Sequence, residues 1–352
     1  MNINVSGDGR ERAFDHMRVL AAFAVIVIHV SAMQWRTLDI HSLDWNIITF
    51  WDGISKFSVP LFFMVSGRFC LDAQHKMDLK TVLTKRLPRL AIAFLVWSCV
   101  YTVLNLLRVD SIQENWKWIV VEFFSGEYHM WFLFAIAGLY LISPLLKLLA
   151  EDKKMCQYFL ILFIIFQLVL PALSQLPMIG VFLSTILNEM QLRYPLGYSG
   201  YYLLGYYLKK HTPGKRVRAG CYALGIVGAV YSAVATILLS RSASVANESL
   251  AEYLTWNVAA EAVAIYLAVL QTKSGPARLK KVERVVSILA KYSLGIYLAH
   301  PLFLWIFEWV GLEPNLFCPV ISVPMIAALA MALSLLLSVL LRRIPRIGKY
   351  IS

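Results

Sequence analysis

The sequence is poor in acid and poor in charge. It has 21 Asp and Glu against 33 Lys and Arg, a formal net charge of +12, and charged residues make up only 15% of its 352 positions. It is also poor in cysteine: Cys70, Cys99, Cys156, Cys221 and Cys318 form no close CxxC pair. Only Cys318 falls outside on the topology given below, so no structural disulfide is expected. HExxH, Cys/His metal spacing, a Walker loop, GxSxG and a GxGxxG at a strand-helix junction are all absent. Readings as a metallopeptidase, a nucleotide hydrolase or an elbow-type hydrolase therefore lack support. There is no Ser/Gly linker and no low-complexity run, so one domain is expected over 1–352, with a short arm at 1–13 and a tail at 342–352.

What the chain has in abundance is apolar sequence, 59% hydrophobic, spread over many separate runs. That is too apolar for one soluble domain and reads as a polytopic membrane protein. Windows of about 20 residues predict an all-α membrane protein, a bundle of about ten transmembrane helices. The spans are Phe14–Met33, Phe50–Leu71, Leu90–Leu107, His129–Leu149, Gln157–Leu173, Tyr194–Leu208, Ala219–Ser240, Tyr253–Gln271, Val285–Val310 and Pro319–Leu341. Tyr194–Leu208 is short and rich in Tyr and Gly. With the N-terminus inside, 25 of the 33 Lys and Arg fall on inner segments, five on outer ones, and Lys56, Arg68 and Lys291 within spans. This bias follows the positive-inside rule and predicts cytoplasmic N- and C-termini. It also accounts for the net charge without nucleic acid. The first run lacks a small-residue cleavage site and is read as a retained span. The outer loops Arg108–Tyr128 and Ser174–Arg193 are long enough for short interfacial helices, with Trp116 and Trp118 as an aromatic anchor. No inverted repeat is visible in the hydropathy, which counts against a secondary transporter.

The chain is organised around FDHMRVLAAFAVIVIHV, Phe14 to Val30, which opens with Asp15, His16 and Arg18 and carries His29 deep inside. At about 100° per residue, eleven steps from Arg18 to His29 come within about 20° of three turns, so both side chains share one helix face, about 16 Å apart along it. Arg18 then sits at one interface and His29 near the midplane of a bilayer about 30 Å thick. Two readings of Arg18 stand side by side, a topology-setting flanking charge and a functional group. An imidazole at membrane depth is costly, which favours function for His29.

Other polar groups lie at depth. KFSVPLFFMVSGRFC carries Lys56, Ser66 and Arg68. KRLPRL places Arg86 and Arg89 three apart at the inner mouth of the third span. Guanidinium forks suit phosphates, so Arg18, Arg68, Arg86 and Arg89 would suit a polyphosphate arriving from the cytoplasm. Plain positive-inside charge or an anionic lipid head group accounts for them equally. Glu127 and His129 stand at the entrance of the fourth span, His300 and Lys291 inside the ninth, and Glu261 in the eighth. His300 before Pro301 is also explained as a helix-kink partner, and Glu261 as a partner of Lys291.

Arg18 with ten residues before His29, VPLFFMVSG, the Arg86/Arg89 pair, YHMWFLFAIAGLYLISPL and YSLGIYLAHP resemble, in order and spacing, the acyltransferase family 3 integral membrane proteins. The resemblance covers essentially the whole chain. Within the family it is nearest to unfused O-acetyltransferases such as those of enterobacterial common antigen assembly. It implies a multi-pass protein of the bacterial cytoplasmic membrane that takes an acyl group, usually acetyl, from cytoplasmic acyl-CoA to a hydroxyl of a cell-surface or lipid-linked glycan. No bound cofactor is implied; acetyl-CoA is a substrate. Carried onto this chain, His29 is the general base, and Arg18 with Arg86 and Arg89 holds the donor. Arg68 stands where the family usually has an aromatic residue after Ser-Gly, a departure that adds a phosphate contact or shifts donor choice. Asp15, Ser66, His129 and His300 complete the expected cavity. The alternatives are a small-solute transporter of the same fold and a lipid-binding scaffold.

Overall fold

The computed structural model describes residues 9–75, 77–108, 116–272 and 280–352. The start of the N-terminal arm, Lys76 and the basic stretch at 273–279 lie outside the described residues. In chain order the helices are α1 (Gly9–Trp35), α2 (Leu43–Gly53), α3 (Ser58–Cys70), α4 (Leu79–Thr81), α5 (Leu87–Arg108), α6 (Trp116–Ser125), α7 (Trp131–Glu151), α8 (Lys153–Phe163), α9 (Leu170–Leu173) and α10 (Gly180–Met190). They continue with α11 (Arg193–Lys210), α12 (Lys215–Ala243), α13 (Trp256–Gln271), α14 (Lys280–Lys291), α15 (Ser293–Trp309), α16 (Pro319–Leu341) and α17 (Gly348–Ile351). Two π-helical turns interrupt them, at Val82–Arg86 and Ile164–Val169. No strand occurs among the described residues.

Among the described residues, eight helical segments qualify by length and composition as membrane spans, and nine if α14 and α15 count as one broken span. The expected ten is not reached on these terms. The shortfall is α11, whose Tyr- and Gly-rich sequence is too polar to qualify, although most of its residues from Leu196 to Leu208 are buried inside the bundle. The second expected span, Phe50–Leu71, is two helices, broken between Gly53 and Ser58. Irregular backbone at this depth is tolerated where protein surrounds it, and 72% of the best apolar window here is buried. The ninth expected span is also two helices, bent by 75° at Tyr292. α14 carries its charges on one side and lies across α1, where His16 Nε2 is 3.4 Å from Glu283. Lys291 therefore ends α14 at the bend and does not sit inside a straight span. The two long loops expected outside do carry helices, α6 and α10.

Local sequence sets the boundaries. The Asp152 carboxylate accepts from the Lys154 and Met155 N–H groups and starts α8 directly after α7. The Ser42 hydroxyl caps α2 in the same way. At the centre, α3 and α11 cross at glycines. A Cβ on Gly67 would stand 1.8 Å from the Tyr202 carbonyl oxygen, and one on Gly205 2.0 Å from that of Met64. Only glycine admits so close an approach of two backbones, as small-residue crossings in membranes require. α1 runs alongside, its Phe14, Met17, Ala21 and Ala24 packed into the cluster that α3 and α11 share. The periphery is apolar and open: Leu107, Val181 and Trp309 each expose 79% or more of their surface. The bundle thus presents hydrocarbon outward and places α1 in its middle.

Candidate functional site

The N-terminal end of α1 gathers cations around aromatic rings. Arg18 pairs with Asp15 at 3.0 Å, one turn away, and its guanidinium lies 4.6 Å from the centre of the Phe69 ring. Arg68 approaches the same ring at 5.8 Å and Phe14 at 5.6 Å, and pairs with Asp72. Partial burial works to raise the Asp72 carboxyl, but the Gln74 N–H and Arg68 outweigh it and hold the group below the usual carboxylate range. Arg86, at the end of the first π-turn, stands 6.0 Å over the Tyr140 ring, and Arg18 and Arg89 are within electrostatic reach of the same tyrosine. Among the described residues no carboxylate lies within 4 Å of Arg86 or Arg89. This end of the protein therefore offers uncompensated guanidiniums, a ready anion site.

Three turns along α1, three imidazoles meet. His29 Nδ1 is 2.6 Å from His300 Nε2, with the ring planes parallel to within 4°. His300 Nδ1 is 2.6 Å from the Tyr297 carbonyl oxygen, one turn back on α15. A carbonyl can only accept, so His300 Nδ1 carries the proton and donates it, and Nε2 of neutral His300 is an acceptor. It then accepts from His29 Nδ1–H, which leaves Nε2 of His29 with its lone pair free. The tautomers follow from the hydrogen-bond network. His300 is 0% exposed and His129 is 1%, whereas His29 keeps part of its surface open. The His129 ring centre is 6.5 Å from that of His29 and 5.4 Å from that of His300, and among the described residues no side chain hydrogen-bonds either of its nitrogens. The Tyr297 hydroxyl donates to the His129 carbonyl and pins that turn in place. Tyr128 sets its ring edge-on against His29 at 5.1 Å.

Outside these residues lies a buried ion group in the break between α2 and α3. Lys56, 6% exposed, reaches Asp52 at 3.1 Å and Glu248 at 2.7 Å. At the mouth beside Tyr128, burial raises the Glu127 carboxyl above its ordinary value, against the opposing pull of an Asn105 amide donor. Among the described residues no group of three or more His, Cys, Asp or Glu is placed to hold a metal ion.

The structure brings the sequence-predicted residues together in two places. Arg18, Asp15, Arg68, Arg86 and Arg89 lie around Phe69 and Tyr140; His29, His129 and His300 form the imidazole cluster. Ser66, half-buried on α3, stands two residues before Arg68. Glu261 does not pair with Lys291: it accepts from the Ser232 hydroxyl at 2.8 Å, while the Lys291 ammonium stands over Tyr292. Sequence reasoning missed Asp52 as the partner of Lys56; an acid four residues before a lysine inside an apolar run was the signal available.

A family model for an acyltransferase domain matches residues 11–343, nearly the whole chain. The protein is thereby defined as an integral membrane acyltransferase. It belongs to acyltransferase family 3. No curated protein and no solved structure matches the chain.

Proposed function

We propose that the protein is an O-acyltransferase of the bacterial cytoplasmic membrane with ten spans and both termini in the cytoplasm. It moves an acyl group, acetyl in the first instance, from cytoplasmic acyl-CoA to a hydroxyl of a cell-surface or lipid-linked glycan. The observation that carries this reading is the position of His29. It is the one member of the imidazole cluster with open surface, its Nδ1 is tied to His300, and it shares a helix face with Arg18 about 16 Å away.

In this reading the CoA phosphates meet Arg86, Arg89 and Arg18, and the pantetheine arm follows α1 toward His29. The acceptor hydroxyl arrives from the opposite side. Its oxygen attacks the thioester carbonyl carbon while Nε2 of His29 takes the proton. The carbonyl oxygen becomes an oxyanion, for which the His129 imidazole, its ring centre 6.5 Å from that of His29, supplies an N–H donor. Collapse expels the CoA thiolate, which takes the proton back from His29. One ester bond forms and one thioester bond breaks. His300 is a positioning residue: its acceptor nitrogen fixes the His29 tautomer, as a carboxylate does for the histidine of a serine protease triad. Arg68, already paired with Asp72, contributes to the local field more than to direct contact with the donor.

The test is acetyl-CoA binding and slow thioester cleavage by the purified protein, its Arg18→Ala variant and its His29→Ala variant. Wild type is expected to bind and cleave, Arg18→Ala to bind weakly, and His29→Ala to bind without cleaving. Absence of binding to wild type would overturn the choice of acetyl-CoA.

A further inference from the structure

Between α10, α11, α12 and the segment that leads into α13 two cavities adjoin. One, of about 350 Å³, is lined by Gln167, Asn188, Trp256 and Asn257; the other, of about 240 Å³, by Lys56, Tyr198, Glu248 and Tyr253. They share Arg193, Glu252 and Leu254 and so form one cleft. The larger part has the volume of a small-molecule site.

Three features give the cleft its chemistry. Asn257 is 0% exposed; its amide N–H groups donate to Ser232 and to the Leu250 carbonyl, yet its Oδ1 has no partner. A buried acceptor left open is costly unless a ligand donor fills it. Gln167, 5% exposed, is carried by the second π-turn, and such turns recur at functional sites because they re-aim a side chain out of the helical register. Finally, the charged side chains that line the cleft are Lys56 and Arg193 against Glu248 and Glu252, and Lys56 is already held by Asp52 and Glu248, so the lining offers little free positive charge to a phosphate. Amides, carboxylates and aromatic rings lining a half-open cleft suit a ring that carries many hydroxyls. A lipid tail would leave those polar groups unpaired.

The cleft also leads toward the imidazoles. Tyr253 and Tyr198 flank Trp131 at 5.7 and 5.6 Å between ring centres, and Trp131 is two residues from His129. Lys56, on the cleft wall, is within electrostatic reach of His29.

We propose that this cleft is the acceptor subsite and takes a polyhydroxylated, uncharged glycan ring, holding the sugar next to the one whose hydroxyl reaches His29. The proposal rests on the acyl-transfer reading above.

The experiment uses source cells lacking the chain and re-supplied with variants. Alkali-labile acyl ester on envelope glycan is measured by mass spectrometry, and each purified variant is assayed for acetyl-CoA binding. Ser184→Trp and Asn188→Trp fill the cleft from α10, whereas Thr185→Trp adds the same bulk to an exposed position of that helix. The expected result is a loss of ester of about tenfold in the two cleft variants, none in Thr185→Trp, and acetyl-CoA binding in all three. Wild-type ester in both cleft variants would overturn the acceptor subsite and leave the acyltransferase reading standing. Loss of ester always accompanied by loss of acetyl-CoA binding would overturn it too, marking the cleft as structural support for the donor site. Full ester in cells without the chain would remove the acyl-transfer reading, and the subsite with it.

Discussion

His29 and His300 are 271 residues apart in sequence and 2.6 Å apart in space, joined nitrogen to nitrogen across α1 and α15. Because His300 is itself tied to the Tyr297 carbonyl, the pair has one internally consistent neutral state, with the free lone pair on His29 Nε2. The consequence is testable. His300→Leu removes the acceptor and should slow thioester cleavage by about a hundredfold or more while acetyl-CoA still binds. His300→Gln puts an amide oxygen near the place of Nε2 and should recover part of the rate. Equal rates in wild type and His300→Leu would mean that His29 needs no orienting partner.

The arginines at the other end of α1 differ in how far they are already engaged. Among the described residues Arg86 has no carboxylate within 4 Å, whereas Arg68 is paired with Asp72. Arg86→Ala should therefore weaken acetyl-CoA binding by about ten- to a hundredfold, the range of one lost charge-assisted hydrogen bond. Arg68→Ala should change it much less. Titration calorimetry of both variants checks the order, and raising the salt should weaken wild-type binding more than that of Arg86→Ala.

The crossing of α3 and α11 predicts a stability effect remote from any chemistry. A methyl group added at Gly67 would stand 1.8 Å from the Tyr202 carbonyl oxygen, so Gly67→Ala must push the two backbones apart. The expected cost is about 1–3 kcal/mol or more, read as a lower melting temperature in detergent. By contrast, Gly220→Ala meets nothing within 4 Å and should leave the melting temperature unchanged or raise it.

Glu127 gives a pH dependence with a definite sign. Its carboxyl is raised above its ordinary value of 4.5 by burial, so the folded state holds a proton that the unfolded chain releases. Its contribution to stability is fully present below about 4.5 and is lost as pH rises through the higher folded value. Glu127→Gln, which stays neutral, should raise the melting temperature relative to wild type at pH 8, with the gap closing toward pH 4.

Much of the site could be read along one helix. Helical periodicity alone puts Arg18 and His29 on one face, because both lie in a single uninterrupted helix. The Arg86/Arg89 pair is visible as charge, although its freedom from carboxylates is not. What depended on contacts between distant segments was hidden. The pairing of His300 with His29 joins α15 to α1, and no spacing rule reaches that far. The breaks were hidden as well: Phe50–Leu71 and Val285–Val310 read as continuous apolar runs, yet the chain turns at 54–57 to carry Lys56 inward and bends by 75° at Tyr292. Lys56 and Lys291, each a charge inside an apolar run, were the outward marks of those breaks. The marginal standing of α11 has a cause that windowed hydropathy cannot see, since Tyr201, Tyr202 and Tyr206 are buried in protein.

That last helix has a consequence for how the chain is made. α11 is too polar to enter a bilayer on its own account, and at Gly67 and Gly205 its contact with α3 is backbone against backbone, with no side chain there to adjust. α3 is synthesised more than a hundred residues earlier, so it must wait in the membrane with Gly67 uncovered until α11 emerges. Biogenesis of this protein thus includes a late step in which a polar segment is accepted by a slot already formed, and a substitution at Gly67 would be felt first as failed assembly during synthesis.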